Sequence, residues 1–330
     1  MEPSVIFRAG LAEVAAIEVV VPRFATDQSG NSVTARRYID LFADLGHRST
    51  LVTQPSGRGE VVVALNAYRT ASAIRSAATA GSRVIVVLTG TDVYKFLNTH
   101  RSVVLDALDR ADCLVGLNDR IGLDLEPRHR ARLDIIHEGA SRPALARSPS
   151  STEFAVVVIG HLREEKDPRT VVAATQNLPS GSRVVVDHYG AAHTDDWAEW
   201  ARAAQLSNKR YRWHGEVQQG DIHAIYAQSH LLVNSSIIEG GSNVISEAVM
   251  SGLAILASDI PGNIGVLGEN YPGYFPVGDA VQLQQALLGL EQEPERLAEL
   301  TSSVVKLQSR LDLAEERAKW GQLFARLGVT

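Results

Sequence analysis

The chain has 330 residues, 45% of them hydrophobic and 21% charged, with a net charge of −6 and a single cysteine, Cys113. That length outgrows one ordinary core and implies two domains of roughly 150 residues each. No apolar run approaches the ~18 residues of a bilayer span, no basic stripe interleaved with aromatics marks a nucleic-acid surface, and one cysteine excludes an intrachain disulfide or a cysteine-rich metal site.

From the start of the chain, the first fifteen residues carry Glu2, Arg8 and Glu13 between short apolar pieces. They do not read as a secretory leader, so the expected setting is the cytoplasm. Strands and helices then alternate: a strand over 17–21, a helix over 32–45, strands over 50–53 and 61–65, a helix over 69–80 and a strand over 84–88. A helix over 102–110 and strands over 113–117 and 133–136 complete the first series. Alternation of this kind predicts a parallel sheet covered on both faces. Cys113 lies in one of these apolar strands and is expected to be inert core.

The stretch 141–151, with Arg-Pro, Arg-Ser-Pro and a serine run, lacks periodicity and reads as a linker. A second series follows: strands over 154–159, 183–186, 210–213, 231–234 and 254–257, with helices over 168–177, 197–205, 222–228 and up to Gly252. The fold class expected is therefore α/β, two tandem doubly wound Rossmann-like domains facing a cleft, since ligands of such sheets sit beyond the carboxyl ends of the strands. The boundaries expected are 1–147, 148–311 and a terminal helix over 312–330, with either domain open as its partner and a return to the N-terminal domain as one of the two expectations. Asp312-x-x-Glu315 is a capping box opening that helix, and Leu313, Trp320, Leu323, Phe324 and Leu327 form its apolar face. The charge is uneven, 18 basic to 16 acidic residues up to position 150 and 14 to 22 after it, or +2 and −8.

Two segments carry chemistry. Between Ser236 and Gly252 stand Glu239, Gly240, Gly241, Ser242, Asn243 and Glu247, two carboxylates around a glycine pair at a strand-to-helix turn. Free N–H groups of a helix's first turn favour an anion such as a diphosphate. Glu247, a turn inside, tilts back toward the helix start and suits sugar or ribose hydroxyls, since a second anion would repel it. The other segment runs from the strand at 154–159 into Gly160-His161-Leu162-Arg163-Glu164-Glu165-Lys166-Asp167-Pro168, where Arg163 and Lys166 offer two cations and Asp167 caps a helix whose first residue is proline. Both segments point to a nucleotide-sugar. No Asp-x-Asp occurs, the ten histidines show no zinc spacing, and the Gly-x-Gly-x-x-Gly fingerprint is missing after the first strand. We therefore expect no metal and no cofactor.

The Gly-x-Leu-x-x-Glu-Lys run together with Glu239-Gly240-Gly241 and Glu247 resembles retaining-type glycosyltransferases of the two-Rossmann, metal-independent GT-B architecture, of the family-4-like group. The resemblance implies that Glu239 touches the donor sugar, Glu247 the ribose and Lys166 the diphosphate. The family carries arginine where His161 stands, which gives Arg163 that part. Further runs resemble the selenosugar synthases of selenoneine biosynthesis: 29–35, 88–94, 160–163, 210–213, 239–243, 260–262 and 271–279. This narrower resemblance implies transfer from a UDP-sugar, UDP-N-acetylglucosamine above all, to selenophosphate, giving a 1-seleno-sugar, UDP and phosphate. Asn66-Ala67-Tyr68-Arg69 and His137-Glu138-Gly139-Ala140 depart from its pattern, and both bear on the acceptor.

The expected site is then Arg163, Lys166, Glu239 and Asp92 for catalysis. Nucleotide-sugar binding falls to His161, Arg163, Lys166, Glu216, Glu239, Gly240, Gly241, Ser242, Asn243 and Glu247. Acceptor binding falls to Gly30, Asn31, Arg36, Thr91 and Asp92, with Arg23, Arg69 and Lys95 as weaker candidates. Two readings stand beside the selenium one: an ordinary GT-B transferase acting on an alcohol or thiol, and a non-catalytic nucleotide-sugar binding protein. No nucleic acid or membrane partner is expected.

Overall fold

The computed structural model describes residues 16–22 and 30–329. The first fifteen residues and Arg23 lie outside that range. In chain order the first half contains β1 (Ala16–Val20), α1 (Gly30–Asp44), β2 (Arg48–Val52), β3 (Val61–Leu65), α2 (Ala71–Ala80) and β4 (Arg83–Leu88). It continues with α3 (Leu97–Thr99), α4 (Arg101–Arg110), β5 (Cys113–Gly116), α5 (Pro127–Arg130) and β6 (Leu133–Ile135). All pairings are parallel, in the order β2-β1-β3-β4-β5-β6. The unbroken apolar run of β3 explains its place: every residue of it is buried, as a strand covered on both faces requires. Tyr38, Leu41 and Phe42 of α1 cover one face, and Ile74, Ala77, Val104 and Leu108 of α2 and α4 cover the other.

The second half contains β7 (Phe154–Ile159), α6 (Pro168–Gln176), β8 (Val184–Tyr189), α7 (Asp195–Ser207), β9 (Tyr211–Gly215), α8 (Ile222–Gln228), β10 (Leu231–Asn234), α9 (Asn243–Met250) and β11 (Ala254–Ser258). Beyond Ser258 come α10 (Pro261–Leu267), β12 (Tyr274–Phe275), α11 (Ala280–Gln292), α12 (Pro294–Val305) and α13 (Leu313–Arg326). Its sheet is parallel in the order β12-β11-β10-β7-β8-β9. Two doubly wound parallel sheets are thus what the chain builds, as the alternation of elements predicts. Their carboxyl ends face each other across a cleft.

Three local outcomes matter for the site. Asp167 sits at φ 41 as the cap of α6, and its carboxylate accepts from Thr170 N. Five residues, Asp92–Phe96, form a π-helical turn directly after β4. The terminal helix α13 crosses back to the first sheet, where Trp320, Leu323 and Phe324 share one core with Ile17, Val19, Tyr38, Phe42 and Val63. In the same return, Ala140, ahead of the linker, and Asp312, at the start of α13, meet in an isolated parallel bridge, so the chain leaving the first half and the chain coming back to it run side by side.

Candidate nucleotide-sugar site

At the carboxyl ends of β7 and β10 the two motif segments meet. Lys166 Nζ lies 2.5 Å from Glu239 Oε1 in a pair mostly shielded from solvent. Ser236 Oγ donates to the same carboxylate oxygen at 2.6 Å, and Asn234 Nδ2 stands 3.5 Å away. The backbone of 166 and 167 is fixed from below, since Ser235 Oγ donates to both of their carbonyls at 2.9 Å. Arg163 is half-buried and its Nε has no hydrogen-bond partner. His161 is half-buried in the turn leaving β7.

The helix α9 begins after Ser242, whose side chain makes no capping bond to the helix. Its hydroxyl accepts from Asn234 Nδ2 at 3.2 Å instead. One turn further in, Glu247 is buried, Gln219 Nε2 donates to it at 2.7 Å and Tyr226 OH at 3.2 Å. Burial pushes the Glu247 carboxyl above its ordinary range against the pull of those two donors. Gln219 and Tyr226 come from the region around α8 and carry no local signal in the sequence. Glu216 is exposed in the loop after β9.

Gly240 and Gly241 serve a purpose the sequence did not suggest. A Cβ on Gly240 would collide with the backbone of Thr89, and one on Gly90, at φ +95, with the backbone of Gly240. A Cβ on Gly241 would stand 2.7 Å from Leu117 Cβ and 2.8 Å from a Glu138 carboxylate oxygen. The absent side chains let the two domains approach each other, rather than admitting a ligand alone. Asn118 Nδ2 completes the contact by donating to Gly240 O at 2.6 Å.

On the opposite side of the cleft, Asp92 departs from the expectation that it faces a ligand. It is fully buried, and its carboxylate accepts from Ala67 N at 2.9 Å, Thr89 N at 3.3 Å and Val93 N at 3.2 Å. It ties together the loops after β3 and β4. Burial pushes its carboxyl up to about 6, outweighing those N–H groups. Thr91 Oγ1 accepts from Asn66 Nδ2 at 2.9 Å, and buried Asn66, at φ 77, also donates to Thr89 Oγ1 at 2.8 Å. Gly30 is exposed at the start of α1, Asn31 is half-buried beside it, and Arg36 is exposed on the same helix.

Arg37, the next residue along α1, reaches the junction. Its guanidinium lies 3.4 Å from Glu138 and 3.1 Å from Glu316, both buried, and donates to Asn243 Oδ1. Thr34 donates to Glu138, and Asn243 Nδ2 donates to Thr34 Oγ1 at 3.2 Å. Lys95 pairs with Glu165 at 2.9 Å across the cleft. A signal for Arg37 exists in hindsight, since it sits one residue from Tyr38 and three from Thr34, on the buried side of an amphipathic helix. Among the described residues no group of three or more His, Cys, Asp or Glu is placed to hold a metal ion. No described helix is long and apolar enough to cross a membrane.

Residues 145–306 match the family described as glycosyl transferases group 1. Over 90 residues the chain is 36% identical to glycosyltransferase 1 domain-containing protein 1 of Xenopus tropicalis, a stretch amounting to 27% of this chain and 25% of that protein. The chain thus spans only about a quarter of the curated relative it matches. In three dimensions it is similar to Anabaena HepE in complex with UDP, at a TM-score of 0.78 and 14% identity over 95% of this chain and 100% of that one. It is also similar to sucrose-phosphate synthase of Thermosynechococcus elongatus, at a TM-score of 0.83 and 14% identity over 95% and 99% of the two chains. The pneumococcal O-GlcNAc transferase GtfA in complex with UDP and GlcNAc aligns at a TM-score of 0.62 and 17% identity over 88% and 59%. The shared architecture is GT-B.

Proposed function

We propose that the chain is a glycosyltransferase that takes its sugar from a UDP-sugar without a divalent metal, the second half holding the donor and the first half the acceptor. One observation carries the reading. Lys166 and Glu239, assigned to diphosphate and sugar, which are adjacent parts of one donor, stand 2.5 Å apart at the strand ends where α9 begins. In this reading Lys166, Arg163 and the first N–H groups of α9 neutralise the diphosphate as the sugar's anomeric C–O bond breaks. Glu239 accepts from sugar hydroxyls and Glu247 from the ribose, whose donors add to those of Gln219 and Tyr226. The acceptor's oxygen or sulfur forms the new bond to the anomeric carbon while its proton passes to the departing phosphate oxygen, and UDP leaves. The family match over 145–306 and the likeness to structures holding UDP support the donor class. The cytoplasmic setting is retained with it.

For the acceptor we place an alcohol or thiol first and selenophosphate second. The selenium reading has the sequence runs as its support, and several of them have work inside the fold. Arg210 donates to the carbonyls of Pro179, Ser182 and Val184, Arg212 pairs with Glu153, Tyr271 OH donates to Ile255 O at 2.7 Å, and Asp279 caps α11. Packing duties of that kind do not select an acceptor. The test is to incubate the pure protein with UDP-N-acetylglucosamine and, separately, alcohols, thiols and selenophosphate, reading UDP release and product mass. A glycoside or thioglycoside formed with release of UDP is the expected result, whereas release that depends on selenophosphate instates the selenium reading. UDP bound in a calorimeter with no turnover on any acceptor leaves a binding protein and ends the transferase reading.

A further inference from the structure

The loop 239–243 is held in shape from outside its own domain. At one end Asn118, fully buried after β5, donates to Gly240 O at 2.6 Å, and its own carbonyl oxygen is fixed by accepting from Arg120 N at 2.9 Å. At the other end Arg37 donates to Asn243 Oδ1, the first residue of α9, while Thr34 accepts from the other half of that amide at 3.2 Å. Ser246, on the next turn, donates to Glu138 O at 2.6 Å. Arg37 is in turn held by Glu138 and by Glu316, whose Oε2, 3.1 Å from the guanidinium, also accepts from Gly139 N at 2.9 Å. Within its own domain the start of α9 has no side-chain cap. Asn234 holds the Ser242 hydroxyl from within the domain at 3.2 Å, and the register of the helix start, with the aim of its free N–H groups and of Glu247, is set in the other part by residues more than a hundred positions away.

We propose that Arg37 and Asn118 are positioning residues of the donor site: they touch no donor atom, but orient the loop that does. The inference rests on the UDP-sugar reading of 239–247. It assigns donor affinity in part to the acceptor-side domain, through two contacts that an isolated second domain lacks.

The test is calorimetric titration of UDP into the full chain and into Arg37→Met and Asn118→Ala, well below each protein's melting temperature, together with steady-state KM and kcat where turnover is found. Each variant is expected to raise the UDP dissociation constant about 5- to 20-fold, the scale of one or two lost hydrogen bonds. The donor KM is expected to rise with it while kcat and the acceptor KM hold, a split that general loosening of the fold does not produce, and Arg37→Lys is expected to recover part of the affinity. Should Arg37→Met fail to fold with Glu138 and Glu316 left unpaired, Thr34→Val removes the hydroxyl between Glu138 and Asn243 without stranding a charge. Native UDP affinity in folded Asn118→Ala and in the Arg37 or Thr34 variant overturns the inference alone. A wild-type chain that does not bind UDP overturns the donor reading and this inference with it.

Discussion

Lys166 answers to two demands, pairing with Glu239 in the structure and, in the proposed reaction, steadying a departing diphosphate. The 2.5 Å pair is shared with Ser236 Oγ, so Glu239 keeps a donor when the ammonium moves to phosphate. Lys166→Ala is expected to cost about 2–4 kcal/mol of transition-state stabilisation, or roughly 30- to 900-fold in kcat/KM, because it removes a charge-assisted contact that strengthens as UDP leaves. An unchanged kcat/KM in a folded variant takes Lys166 out of the mechanism. Asp92 makes a different claim, about stability. Its carboxyl is pushed from the ordinary 3.8 to about 6 by burial. Between those two values the unfolded chain releases a proton that the folded chain keeps, so stability falls as pH rises through the window and levels off above it. Asp92→Asn cannot ionise, and it also loses one acceptor for the N–H groups of Ala67, Thr89 and Val93. Urea unfolding is expected to show the variant destabilised at pH 4 and less so at pH 7, while an equal cost at both leaves the carboxyl with an ordinary pKa.

At the scale of elements, α13 shows a helix spending its apolar face on the domain it does not follow in sequence. Trp320 is fully buried, its ring 4.9 Å from Tyr38 and 5.0 Å from Phe42, with Phe324 4.9 Å from Phe42. Trp320→Ala is expected to cost about 3–5 kcal/mol by the cavity it leaves. Far-UV dichroism in urea is expected to show the variant's first transition at lower denaturant, and a coincident curve leaves Trp320 without that role. The amphipathic stripe and the Asp312 cap were legible in the sequence, because both are local; which sheet the stripe meets was not. Strands read the same way. Runs such as 61–65 and 154–159 are apolar throughout and stand out, whereas β8 continues past Val186 through Asp187, His188 and Tyr189. His188 can be buried there because its ring nitrogens meet Tyr211 OH at 2.8 Å and Gly160 O at 2.9 Å, and burial holds its pKa down to about 4 against the pull of the Gly160 carbonyl. The candidate site divides along the same line. Lys166, Glu239 and Glu247 announce themselves within two short strand-to-turn segments, while Gln219, Tyr226, Arg37 and Asn118 become partners only once the chain has folded. Asp92, at a strand's carboxyl end, was open in the sequence to facing a ligand or to a structural capping role, and in the fold its carboxylate is taken up by the N–H groups of Ala67, Thr89 and Val93.

Across the whole molecule, the two halves meet through small polar contacts, a backbone hydrogen bond from Asp119 N to Gly265 O at 3.1 Å, and the close crossing of Gly90 over Gly240. The Lys95 to Glu165 pair, with side chains 45% and 21% exposed, contributes little by itself, about 0–1 kcal/mol for a bridge of this exposure. The crossing of Gly90 over Gly240 is the contact that fixes how near the domains come, since a Cβ on either residue would enter the other's backbone. Gly90→Ala tests this, provided the strain of its φ of +95 is separated from the clash. Gly81 supplies the control: its φ is +84, yet nothing lies within 4 Å of where its Cβ would stand. Both alanine variants are expected to lose about 1–2 kcal/mol of stability to the left-handed backbone. Gly90→Ala alone is expected to raise the radius of gyration in small-angle scattering and to weaken UDP binding, because the domains part and the loop at 239–243 loses Asn118 and Arg37 together. If Gly90→Ala scatters and binds UDP as Gly81→Ala does, the glycine crossing does not set the width of the cleft, and the separation of the domains is governed by the polar contacts around it.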